Sequence, residues 1–300
     1  MSEGAAGGLE ADLESALRSA AALARRLGRF ELAADLESRL VEETAFRLEL
    51  FGGGPRLLLE RPGRPPLAVS FRLRRAFATL ALLALDKERQ KSREALIEAL
   101  WAEESAEAIK RNFHPVLSDL RRTLQDTLHL ALGRREEVLD FHLGIYRLET
   151  RLPLRVDAEC FESRLAAAEQ AGRRGEEDEA RIHFLAAWRL YRGPLLEGFE
   201  AEWLRSRREQ LHRQYLQALR RTGELAMARG EDQLATDAFR SLLFEEPFDE
   251  NVHLELMRLY ARGDRRDLVR RQFVRLQENL KELDVEPRQA SQEEFHRLMR

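Results

Sequence analysis

The C-terminal part of this 300-residue chain repeats itself. Ala228-Arg229-Gly230 recurs as Ala261-Arg262-Gly263, 33 residues on, while Leu234 returns as Leu268 and Phe239 as Phe273, 34 residues on. Ala171-Gly172, followed by Ala180, Phe184 and Trp188, has a similar shape. A period near 34, with small and large apolar residues in this order, describes a helix–turn–helix unit. Such a unit cannot bury its apolar face alone, so it must stack on its neighbours. This confines the region to a helical array and makes it scaffold rather than catalyst. Helix breaks are expected at 172–175, Gly193-Pro194, Gly230, Pro247, Gly263 and Pro287.

The middle of the chain obeys a different period. In FRLELFG, Phe46, Leu48 and Leu50 alternate with Arg47 and Glu49, the pattern of a half-buried strand. LLLE at 57–60 and LAVS at 67–70 follow, separated by Gly- and Pro-rich turns, so three strands are predicted over 46–70. Helical spacing then returns. Leu73, Ala76, Phe77, Leu80 and Leu83 share one face over 72–85. Ser92 reads as the N-cap of a helix through Trp101 that buries Leu96, Ile97 and Leu100, and Ser105 as the N-cap of a helix over 106–125. Two strands around Gly144, over 136–149, complete the segment. Before all this, residues 9–43 carry two apolar helical stripes broken at Gly28, the pattern of a helical hairpin.

Composition excludes several classes. No stretch approaches the ~20 apolar residues of a membrane span, and the N-terminus lacks the basic and apolar regions of a secretory signal. One cysteine, Cys160, permits no disulfide within the chain; its apolar helical setting predicts a core thiol. The chain reads as cytoplasmic. The net charge of −3 hides an asymmetry: −4 over residues 1–44, +5 over 45–156 and −4 over 157–300. Only the middle invites a polyanion. GxxxxGK[ST], HExxH, CxxC and GxSxG patterns are absent and the seven histidines are scattered. The chain is therefore read as no enzyme, with no cofactor and no metal site.

The order of strands, three helices and a terminal hairpin describes a winged helix-turn-helix. Its 106–125 helix has two faces at 100° per residue. Ile109, Phe113, Val116, Leu117, Leu120 and Leu124 form an apolar stripe. Arg111, Pro115, Ser118 and Arg122 lie opposite, with Lys110, His114 and Arg121 on one flank. Arg, Lys, Ser and His are the types that read base edges and hold phosphates. Lys110, Arg111, His114, Ser118, Arg121 and Arg122 are therefore the candidate reading residues. Ser92, Arg93, Arg134 and Arg135 are the candidates for DNA backbone contact. Pro115 removes a backbone hydrogen bond from a helix interior, so a kink, or a helix starting near Arg111, is expected. The competing reading is a helical-repeat adaptor whose winged helix contacts protein. An adaptor has no need of this basic face.

Residues from about 45 onward resemble the Streptomyces antibiotic regulatory protein type of regulator, which joins an OmpR-type winged helix to a bacterial transcriptional activator domain with tetratricopeptide-like repeats. The resemblance is carried by Ser92-Arg93-Glu94, Leu96-Ile97, Leu100-Trp101, Asn112, the run Leu117 to Arg122, and Gly144 to Leu148. It continues through Val156 to Glu162, Pro247 to Glu250, His253, Leu256-Met257, Tyr260, Gly263, Leu283 and Pro287. The initial 44 residues and Pro115 depart from the family pattern. The expected fold is mainly α with a small β component. It has a helical hairpin over 1–44, a winged helix-turn-helix domain over 45–156 and a tetratricopeptide-like activator domain over 157–300. The resemblance implies a transcriptional activator that binds repeated promoter elements. The partners it implies are double-stranded promoter DNA and RNA polymerase; a second copy of the chain, in a homodimer, is a further candidate, and the composition points to no membrane.

Overall fold

The structure is a computed structural model that describes residues 45–61, 64–132, 137–149 and 154–300, with a few isolated positions before them. The hairpin expected over 1–44, and Arg134 and Arg135, lie outside the described residues. Two compact units emerge, one of residues up to Cys160 together with Leu190–Arg208, the other of Phe161–Arg189 with Glu209–Arg300.

The alternating pattern at Phe46 produces β1 (Ala45–Glu49), and β2 (Arg56–Arg61) and β3 (Arg64–Val69) follow it as an antiparallel meander. Phe46, Leu48, Leu57 and Leu59 are fully buried. The sheet has four strands rather than three. Leu154–Val156, a strand labelled β7 below, returns parallel to β1, giving the order β3-β2-β1-β7. Glu49 does not face water as the alternation predicts. It is buried, and Arg56 at 2.5 Å, Arg47 at 3.2 Å and Arg192 at 3.3 Å surround it. Burial alone would raise its carboxyl. The hydrogen bond from Arg56 and the charge of Arg192 outweigh that and bring it below the usual range.

The first helix, α1 (Arg74–Ala84), is buried at every position from Ala76 to Ala84. Leu73, expected on its buried face, is instead its exposed N-cap. A strand the periodicity missed, β4 (Gln90–Ser92), leads into α2 (Arg93–Trp101). Leu96 and Trp101 are buried there, while Ile97 and Leu100 are half-buried. A tight turn leads to α3 (Ala106–Leu132), a longer helix than expected. The hairpin of β5 (Leu139–His142) and β6 (Ile145–Leu148) pairs with β4 in a second sheet of order β4-β6-β5. The turn at Leu143-Gly144 has both residues at positive φ, 48° and 82°, as a two-residue hairpin turn requires.

After β7 the chain is helical: α4 (Asp157–Arg173), α5 (Glu177–Leu190), α6 (Glu202–Ala228), α7 (Asp232–Glu245), α8 (Glu250–Arg262), α9 (Arg266–Lys281) and α10 (Gln289–Met299). The expected breaks fall between these helices, except that Gly172 still belongs to the last turn of α4 and the break there begins after Arg173. Cys160 is exposed, not a core thiol, because it lies on the outer side of α4 while Phe161 turns inward.

The repeat is real, but its frame is 34 residues throughout. Glu231 N–H donates to Ala226 O and Arg265 N–H to Tyr260 O, both at 2.9 Å, the closing bond of a left-handed helix end. The residues at positive φ are Gly230 and Asp264, so Gly230 matches Asp264 and not Gly263. Phe239 and Phe273 occupy the equivalent buried positions. Phe239 lies against Gly223 so closely that a Cβ there would stand 2.5 Å from its ring. Large residue against absent side chain is how adjacent helices interlock.

Candidate nucleic-acid interface

Ser92 ends β4 and begins α2. Its Oγ accepts from Ala95 N–H at 3.1 Å, as the cap pattern predicts. Arg93 N–H donates to Gly144 O at 2.9 Å, which ties the start of α2 to the hairpin turn. Ser105 Oγ accepts from Ala108 N–H at 3.3 Å and opens α3. The helix starts at Ala106 and runs as one element through Pro115, so the later start near Arg111 does not occur. Pro115 is exposed. The missing N–H therefore leaves only the Arg111 carbonyl without its usual donor.

Phe113, Val116, Leu117, Leu120 and Leu124 are buried and Ile109 half-buried. Each such side chain contributes about 1.5–3 kcal/mol on burial, which fixes the rotation of α3. That rotation turns Lys110, Arg111, His114, Ser118 and Arg122 outward together, all exposed. Arg122 lies 3.7 Å from Asp119. Asp119 is buried, but 3.7 Å is longer than a hydrogen bond and the Arg122 side chain is 54% exposed, so its guanidinium stays open to a phosphate or base.

Arg121 stands apart. It is half-buried, its Nη2 donates to Leu139 O at 3.1 Å, and its Nε lies 3.5 Å from Glu137. Its charge is turned toward the hairpin. An aromatic series crosses the same junction: Trp101 to Phe113 at 5.5 Å, Phe113 to Tyr146 at 5.8 Å, and Tyr146 stacked on Phe141 at 4.4 Å. Arg93 sits 5.3 Å over the Phe113 ring. Burial pushes the Tyr146 hydroxyl above its ordinary pKa, against the opposing charges of Arg93 and Arg121. Hairpin and helix are thus joined by packing as well as hydrogen bonds.

Two features had no signal in the sequence pattern. Asp119 of α3 is buried, and its Oδ2 accepts from Leu73 N–H at 2.9 Å at the start of α1. Its role depends on which helix end arrives beside it. A cavity of about 540 Å³ adjoins the α2 N-terminus, lined by Asp86, Lys87, Lys91, Ser92 and Ile145 among others. Lys87 is exposed there, whereas Lys91 is paired with Asp86 at 2.6 Å.

The family model of the bacterial transcriptional activator domain matches residues 156–299. The chain is 25% identical over 229 residues to the transcriptional regulatory protein MoaR1 of Mycobacterium tuberculosis, covering 74% of this chain and 71% of that protein. It is 28% identical over 193 residues to the transcriptional regulatory protein EmbR of the same organism, covering 63% of this chain and 47% of EmbR. The solved structure of Mycobacterium tuberculosis EmbR in complex with a low affinity phosphopeptide superposes with a TM-score of 0.62 at 22% identity, covering 85% of this chain and 65% of that one. This likeness shows the fold, mainly helical with a winged helix and a helical array. Among the described residues no helix is long and apolar enough to cross a membrane. Residues 156–299 form a bacterial transcriptional activator domain, and the chain as a whole is similar to transcriptional regulators of the Streptomyces antibiotic regulatory protein type.

Proposed function

We propose that this regulator binds double-stranded promoter DNA in a sequence-specific manner, as an activator that contacts RNA polymerase in the cytoplasm. The winged helix-turn-helix over 45–156 carries the DNA contact, the domain over 157–300 carries activation, and residues 1–44 are an extension outside both. The observation that supports this reading most is the outward face of α3. Its apolar stripe is buried, and Lys110, Arg111, His114, Ser118 and Arg122 are exposed side by side. On DNA, α3 lies in the major groove with these side chains at base edges and phosphates. Ser92 and Arg93, at the N-terminus of α2, approach the backbone, where the helix dipole favours an anion.

The test is binding to duplexes selected by the full-length protein from a randomised pool. Arg111→Ala with Arg122→Ala is expected to abolish enrichment of a preferred sequence while the fold is retained. Unchanged enrichment by the double variant would refute the assignment.

A further inference from the structure

Residues 190–208 lie inside the activator-domain match yet belong to the compact unit that holds α3. Their attachment is dense. Tyr191 packs on Phe51 at 4.8 Å between ring centres, and Arg192 pairs with Glu49 and Asp157 at 3.3 and 3.4 Å. Gly52 N–H donates to Pro194 O at 3.2 Å, and Leu196 N–H to Leu50 O at 2.7 Å. Gly52, at φ 56°, must be glycine: a Cβ there would stand 2.1 Å from Arg192 O. Leu195 and Leu196 are each 1% exposed. Arg208 then fastens the turn from the far side. Its Nε donates to Leu195 O at 2.7 Å, and its Nη2 to Leu196 O at 2.8 Å and Phe199 O at 2.7 Å.

The end of this turn meets the start of α1. Arg74 donates to Gly198 O and lies 4.5 Å over the Phe199 ring, and Phe199 stacks with Phe77 at 6.3 Å. One residue before Arg74, Leu73 N–H is held by Asp119 of α3. One residue after it, Arg75 pairs with Glu104 in the α2–α3 turn and lies 5.3 Å over Trp101. The first turn of α1 is thus held by the 198–199 turn and by the reading helix together.

We propose that Phe199 and Arg208 are positioning residues for DNA reading. They act through the first turn of α1, which sets where α3 stands. The idea deepens the DNA-binding reading above and rests on it. Phosphate contacts tolerate small shifts of a helix, whereas bidentate base contacts do not. Disturbing this turn therefore removes sequence discrimination before it removes binding.

The experiment uses the full-length chain, a duplex selected from a randomised pool and a scrambled duplex of the same length. Phe199→Ala is expected to weaken binding to the selected duplex about tenfold, the size of one lost base contact. Affinity for the scrambled duplex and its salt slope should hold. The Leu73 amide should exchange with solvent faster, and Phe199→Tyr should restore wild-type behaviour. Arg208→Ala should act in the same direction, and Arg208→Lys should not rescue it, because one ammonium cannot span three carbonyls. A parallel loss on both duplexes, as partial unfolding produces, or unchanged exchange at Leu73 would overturn the proposal. If the wild-type chain enriches no duplex, the DNA-binding reading fails instead, and Leu73 exchange alone decides the positioning claim.

Discussion

Adjacent arginines on one helix have different tasks here. Arg122 is exposed and weakly paired, and Arg121 is turned onto the Leu139 carbonyl. Arg122→Ala is therefore expected to cost about 1–3 kcal/mol on the selected duplex and to relax preference at one base. Arg121→Ala should loosen the hairpin and lower affinity for selected and scrambled duplexes alike. Binding titrations on both duplexes separate the two, and a change of base preference on losing Arg121 would contradict its assignment. A second residue-scale prediction concerns His253, which is fully buried between α8 and α9. Its Nε2–H donates to Pro247 O at 3.0 Å and its Nδ1 accepts from Gln272 at 2.7 Å. Burial holds its pKa below the usual value. In the unfolded chain this histidine takes up a proton as the pH falls through ~6.5, while the folded one resists. The unfolded state then binds more protons, so this contribution to stability is complete above that pH and is lost below it. Thermal melting from pH 7.5 to 5.5 should show the C-terminal transition falling, with a smaller fall in His253→Gln. An equal fall in both would refute this.

At the scale of elements, α3 carries a penalty that its packing overrides. Proline in a helix interior costs about 3 kcal/mol, partly offset by ~0.4–1 kcal/mol from a stiffer unfolded chain. Pro115 is exposed and packs no core, so alanine gives up nothing buried. Pro115→Ala is expected to stabilise the N-terminal unit by about 2 kcal/mol net, seen by calorimetry as a transition several degrees higher. A lowered transition would show that Pro115 makes a contact the helix needs. The same balance explains why the helix starts at Ala106. The Ser105 cap and the buried stripe on both sides of Pro115 together outweigh one lost hydrogen bond.

At the scale of the whole molecule, the charge distribution matters more than its sum. The +5 over residues 45–156 lies between segments of −4 each, so the proposed DNA binding predicts a long-range attraction confined to that middle segment. Affinity should fall with salt at about 0.9 log units per phosphate contact. Replacing Lys110, Arg111 and Arg122 together should lower that slope by roughly the number of phosphate contacts they make. A flat salt dependence in the wild-type chain would contradict the DNA reading. The helices, their caps at Ser92 and Ser105, the Gly144 hairpin and the 34-residue repeat were all determined by the sequence itself. Each depends on period, cap or turn chemistry within a few neighbouring residues. The outward face of α3 was legible for the same reason, since a strong apolar stripe dictates its opposite. Other features were decided only by the tertiary structure. These include the three-residue strands β4 and β7, the burial of Glu49, the exposure of Cys160, the turning of Arg121 to the hairpin and the docking of 190–208 beside β1 and α1. Three residues are too short to show a period, and a side chain's partner depends on which distant segment folding brings beside it.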